Sequence, residues 1–319
     1  MVATRRSAPR PVGAKLAVSS SGEIAGSVSG GCVEHEVYEE AKDVLANGTT
    51  KLVTYGISDE QAWDAGLPCG GEIDVLLTPL DDDILTRSKD AYATEQRAAV
   101  VTPLEDGAQA PTFVREGERE DVDELIRAGR NAVVELEGKD VFVEVLAPPL
   151  RLLVIGALDL ADALCAAAKL VGWRTVVADA RARFATKERM PNADELLVAW
   201  PDDALAQVRP DHDTAVVVLT HDDRFDIPAL AGALRTDAFY VAALGSRRNQ
   251  ERRRDLLRET GLTEADLDRI AGPAGLDIGA VSPAETALSI LAEAVASRAG
   301  RAGGPLKESQ HRIHAQRAE

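Results

Sequence analysis

The sequence predicts an α/β fold, a doubly wound parallel sheet in the C-terminal half preceded by a smaller α+β N-terminal domain. Three observations carry this. From RLLVIGA (151–157) onward, short apolar runs alternate with helical stretches. The runs are continuously apolar, as strands buried on both faces require. The chain also changes character at Ala147-Pro148-Pro149-Leu150, a natural point of punctuation. A length of 319 residues suffices for two domains with cores of their own. These boundaries give an N-terminal domain at 1–148, a parallel-sheet domain at 151–300 and a polar tail at 301–319.

In the first domain, KLAV and EIAGSV flank SSSG and predict a hairpin. CVEHEVYEEAKDVLANG predicts a helix that aligns Val33, Val37, Val44 and Leu45 and stops at Asn47-Gly48. KLVTYGI and EIDVLLTPL predict strands, and 97–102, 132–137 and 140–147 read as extended. The topology of this half does not follow from the pattern. In the second domain the strands are LLVIG, TVVAD (175–179), ELLVAW (195–200), TAVVVLTHD (214–222) and FYVAALGS (239–246). Helices are predicted at 159–171, 226–235, 247–260 and 283–298, the last opening on a Ser282 cap and Pro283.

Charge narrows the partners. With 36 Lys+Arg against 53 Asp+Glu the net charge is -17, which argues against nucleic acid and anionic membranes. No apolar stretch reaches the roughly 20 residues of a membrane span. MVATRRSAPRPVGAK is charged but lacks the apolar run of a secretory signal, so a cytoplasmic location is expected. There Cys32, Cys69 and Cys165 should remain thiols.

Two cysteines sit in glycine-flanked loops, Gly30-Gly31-Cys32 and Pro68-Cys69-Gly70-Gly71. Glycine admits close approach of a ligand or a positive φ. A helix starting near Cys32 would favour its thiolate, while Glu34 and Glu36 oppose it. Either loop alone reads as a tight structural turn; the pair points to thiols that meet another molecule. Neither has the Cys-x-x-Cys partner of a zinc site. Cys165, in ADALCAAAKL, reads as core.

LLVIGALDLA stands where a dinucleotide-binding turn belongs. Gly156 fills its first glycine position and Ala161 its last, but Leu158 takes the middle one and Asp159 adds negative charge at the helix start. Asp179 follows about 20 residues on, where a ribose-binding carboxylate is expected. A Rossmann-like fold is therefore expected, with Leu158 and Asp159 arguing against NAD(P). Two further strand-end loops are candidates: Thr220-His221-Asp222-Asp223, and the anion-site candidate Gly245-Ser246-Arg247-Arg248. His221 is a candidate acid/base, though one such histidine is more simply structural. Arg5, Arg6, Arg10 and Lys15 form a second basic cluster, for which plain chain-end charge is the competing account.

Taken together, SAPRPVGAKLAV, GSVSGGCVE, GLPCGGEIDV, VVADARARFAT, TAVVVLTHD, ALGSRR and GLDIGAVSPAETALSILAE resemble the XdhC/CoxI family over nearly the whole chain. These are accessory proteins for xanthine dehydrogenase and related molybdenum hydroxylases. The resemblance implies a cytoplasmic chaperone that binds molybdenum cofactor (molybdopterin), protects it, and helps deliver its sulfurated form to an apo-enzyme. It further implies a homodimer, with the target hydroxylase and a cysteine desulfurase as partners. On that reading a thiolate at Cys32 or Cys69 contacts molybdenum or carries sulfur, and Gly30, Gly31, Gly70 and Gly71 admit the pterin. Arg10, Lys15 or Arg247 would meet its phosphate. Two departures stand out: family members usually carry a helix and strand before APRPVGA, and Leu158-Asp159 weakens nucleotide binding. The competing functions are an NAD(P)-dependent oxidoreductase and a docking protein whose cysteines are structural.

Overall fold

A computed structural model describes residues 1–5, 10–56, 71–105 and 110–309. The chain falls into two compact units that divide between Pro148 and Pro149.

The first unit runs β1 (Ala3–Arg5), β2 (Leu16–Val18), β3 (Ile24–Gly26), α1 (Glu34–Asn47), β4 (Lys51–Tyr55) and β5 (Glu72–Leu77). It continues with α2 (Asp82–Ala93), β6 (Ala98–Pro103), β7 (Thr112–Arg115), α3 (Glu120–Ala128), β8 (Ala132–Leu136) and β9 (Lys139–Leu146). The β2–β3 hairpin forms as its sequence predicts. An antiparallel sheet in the order β1-β5-β4 packs Ile73, Val75 and Leu77 against Val33, Val37 and Val44. Leu45, one residue past Val44, is turned out of that contact and is 44% exposed, so it does not share the expected face. α1 stops because Gly48 takes φ 69° and returns its amide to Val44 O at 2.8 Å. A second antiparallel sheet, β7-β6-β9-β8, builds separate cores with α2 and α3.

The second unit contains β10 (Arg151–Ile155), α4 (Asp159–Leu170), β11 (Arg174–Ala178), β12 (Glu195–Leu197), α5 (Pro201–Val208) and β13 (Thr214–Val218). α6 (Asp223–Leu234), β14 (Tyr240–Ala243), α7 (Arg247–Arg258), α8 (Glu264–Leu267), β15 (Ile270–Ala271) and α9 (Pro283–Arg298) follow. All six strands are parallel in the order β12-β11-β10-β13-β14-β15. Within the unit this is 3-2-1-4-5-6, the Rossmann order, with its switch point between β10 and β13. Along β10, Leu152 and Val154 face a core completed by α4 and α9, whereas Leu153 and Ile155 face one completed by α5, α6 and α7. Burial on both faces is why these strands read as unbroken apolar runs.

Strand ends differ from the sequence expectation. ELLVAW stops being a strand at Leu197 because Trp200-Pro201 opens α5, with proline in its first turn. TAVVVLTHD is a strand only to Val218, and α6 starts earlier than expected because Asp222 caps it, accepting from the Arg224 amide at 3.0 Å. α9 opens on a capping box between Ser282 and Glu285. No described helix is long and apolar enough to cross a membrane.

Candidate functional site

The Cys32 loop is organised around one carboxylate. Glu34 Oε1 accepts from the Ser27 hydroxyl (2.6 Å) and the amides of Val28 (3.1 Å), Ser29 (2.8 Å) and Gly30 (3.1 Å). Its Oε2 accepts from the Gly31 amide at 2.8 Å and from the Ser29 hydroxyl. Burial pushes the Glu34 carboxyl up, but the bonds from Ser27, Ser29 and Gly31 outweigh it and hold it at about 2. Ser29 Oγ in turn accepts from the amides of Cys32 and Val33, each at 3.0 Å. α1 starts at Glu34, two residues past Cys32, and the amides of Cys32 and Val33 at this end are taken by Ser29.

Gly30 and Gly31 have φ of 76° and 113°, and among the described residues beyond their chain neighbours a Cβ at either would meet nothing within 4 Å. Their positive φ is what the backbone needs here, a conformation that glycine adopts without strain. Cys32 is half-buried at the margin of the Val33–Val37–Ile73 core. Gly71 is buried and directly precedes β5, while Cys69, Gly70 and Arg6 lie outside the described residues. Arg10 is exposed. Lys15 pairs with Glu144 of β9, and Arg5 is held by Asp74 at 2.9 Å, so two cations of the N-terminal cluster are committed within the unit. Among the described residues, no group of three or more His, Cys, Asp or Glu is placed to hold a metal ion.

The second candidate lies at the carboxyl ends of the parallel strands. Gly156 has φ 110°, and a Cβ there would stand 2.7 Å from Thr220 Cγ2. The close approach of the β10 and β13 loops thus explains this glycine without a ligand. Asp179, 5% exposed, is occupied by its own chain: it accepts from the Ala157 amide (2.9 Å), the Arg181 amide (2.9 Å) and the Arg181 guanidinium (2.9 and 2.7 Å). Burial raises its carboxyl, but Arg181 and Ala157 outweigh that and leave it below its ordinary value. Leu158 occupies the N-cap of α4, and Asp159, the first residue of the helix, projects into solvent with its side chain 91% exposed.

Arg181 also lies 4.2 Å above the Phe184 ring and 5.8 Å from Phe225, which stacks on Trp200 at 4.9 Å and 18°. Asp222 is spent on the amide and guanidinium of Arg224, whose hydrogen bonds hold it at about 2. Gly245 has φ 137°, and Ser246 caps α7 by accepting from the Asn249 amide at 3.3 Å, with Arg247 exposed in the first turn. His221 is exposed. Sequence reasoning missed the buried pair beneath these loops. Arg253 donates to Leu244 O (2.6 Å), Thr220 O (3.1 Å) and the Asp226 carboxylate, to which Thr220 also donates. Cys165 is fully buried in the α4 face of the core, and burial pushes its thiol up to about 12.

The family model of the XdhC and CoxI family matches residues 1–56, and that of the XdhC Rossmann domain matches 152–294. The chain is 30% identical over 308 residues to the Escherichia coli protein named molybdenum cofactor insertion chaperone PaoD, covering 93% of this chain and 82% of that one. It is 25% identical over 315 residues to a Bacillus subtilis protein named as a probable xanthine dehydrogenase subunit, covering 93% and 92%. Among solved structures it resembles a crystal structure described as a xanthine dehydrogenase from Bacillus halodurans, with a TM-score of 0.75 and 28% identity over 97% of this chain and 92% of that one.

Proposed function

The chain belongs to the XdhC and CoxI family, and on that footing we propose that it is a chaperone for molybdenum cofactor. It binds the cofactor as cargo, assists its sulfuration, and inserts it into a xanthine dehydrogenase or CO dehydrogenase-type hydroxylase. The observation that carries this reading is the near full-length relationship to a protein named as a cofactor insertion chaperone. The cysteine loop fits such a cargo: a thiol is a soft ligand suited to molybdenum, and the glycines at 30 and 31 carry no side chain to obstruct a bulky neighbour. Arg10, exposed in the same unit, is proposed for the phosphate, and Arg247 is an exposed cation of the other unit. Cys69 is proposed as the second thiol. The working unit is proposed as a cytoplasmic homodimer that meets the apo-hydroxylase and a cysteine desulfurase.

We read the Rossmann crevice as not serving NAD(P). The carboxylate that would take the ribose is committed to Ala157 and Arg181, and Leu158 stands where the pyrophosphate would pack. A nicotinamide fluorescence titration tests this, with no saturable change expected.

Reconstitution tests the proposal as a whole. An apo-hydroxylase is mixed with molybdenum cofactor, a cysteine desulfurase and cysteine, with and without this protein. The protein is expected to raise the yield of active hydroxylase, and the Cys32→Ala variant to raise it less. Equal yields with and without the protein would contradict the reading.

A further inference from the structure

Glu34 holds the loop that carries Cys32, and we propose that it is the positioning residue for that thiol. This rests on the reading of Cys32 as a cargo-contacting group and concerns what fixes it in place. Four successive amides and two hydroxyls converge on one carboxylate. Ser29, only 1% exposed, relays the constraint by accepting from Cys32 and Val33. Every amide from Val28 to Val33 therefore has its acceptor in Glu34 or Ser29.

Packing adds little at Gly30 and Gly31: among the described residues, and leaving aside their own chain neighbours, no atom lies within 4 Å of where their side chains would start. The loop is held by hydrogen bonds to a charge. Without the carboxylate, four N–H dipoles would point at one another across an empty centre, and two left-handed glycines would be released to other conformations. The arrangement also has a consequence for recognition. Amides 28–31 form the kind of concavity that gathers an anion, and here the anion is the protein's own. The loop's amides are thus closed to the cargo's phosphate, which has to be met by cations, while the thiol is presented.

The experiment uses the full chain with Glu34→Gln, Glu34→Ala and Ser29→Ala. The alkylation rate of Cys32 is followed by mass mapping, along with its pH midpoint, hydrogen exchange of residues 28–33, and pterin retained after anaerobic gel filtration with molybdenum cofactor. Glu34→Ala is expected to speed both Cys32 alkylation and exchange of the 28–31 amides about 10-fold and to lower pterin retention, with the unfolding of the C-terminal unit unchanged. Glu34→Gln, which keeps one acceptor oxygen, should fall between. Ser29→Ala keeps the carboxylate and cuts only the relay, so it should speed alkylation of Cys32 and decides the matter if the Glu34 variants do not fold. Wild-type alkylation in the folded variants would overturn the proposal. Failure of the wild type to retain pterin would instead sink the cargo reading, with alkylation and exchange still judging Glu34.

Discussion

Replacing Asp226 by alanine should be among the most damaging single substitutions in the C-terminal unit. The Arg253 and Asp226 side chains are 3% and 1% exposed, so each charge relies on the other rather than on water. Once the carboxylate is removed, the guanidinium keeps two neutral acceptors, Leu244 O and Thr220 O, and loses its counter-charge. Breaking a buried pair from one side costs about 3–5 kcal/mol. For a domain of this size each kcal/mol lowers the Tm by roughly 2–4 °C, so a fall on the order of 10 °C is expected. The double variant Asp226→Leu, Arg253→Met removes both charges and keeps apolar bulk, and should recover about 2 kcal/mol or more of the loss. Scanning calorimetry or urea unfolding of the three proteins reads the difference. A double variant no more stable than Asp226→Ala would refute the reasoning, because it would mean that the cost does not come from leaving one charge unpaired.

Gly156→Ala should destabilise by about 1–3 kcal/mol, since it combines a positive φ with a Cβ driven into Thr220, and a melting curve measures it. Cys165 should resist alkylation at pH 8 in the folded protein and react only on unfolding, as mass mapping would show, because burial pushes its thiol to about 12. The Cys32 loop should be acid-labile. Glu34 falls from 4.5 to about 2 on folding, so its contribution is complete above pH 4.5 and fades as pH drops toward 2. Discounted for partial exposure, that contribution is on the order of 1–2 kcal/mol, and exchange of amides 28–31 at pH 5 and pH 3 should report it.

The C-terminal sheet was legible because burial on both faces leaves a signal in every residue of a strand. Its limits were less so: Leu219, just past β13, and Leu244, just past β14, pack on the core and look like strand. In the N-terminal unit α2, α3, β1 and β7 were missed. α2 buries only Ala91 fully, and the acidic start of α3 masks a face made by Val122, Leu125 and Ile126. Arg253 was hidden among three consecutive arginines, Arg252 to Arg254, in a charged stretch of helix. The phase of α7 would have found it, since Gln250, Arg253 and Leu257 share the buried side at spacings of three and four. Glu34 read only as a charge opposing a thiolate. Its role needed a loop that folds back on the helix start, although two serines and two glycines just ahead of a first-turn acid are the ingredients of such a fold-back.

The central claim is that this protein carries the cofactor. Purified protein, incubated anaerobically with molybdenum cofactor and passed through gel filtration, should elute with bound pterin, and Cys32→Ala should retain much less. A folded wild-type protein that emerges without pterin would contradict the account.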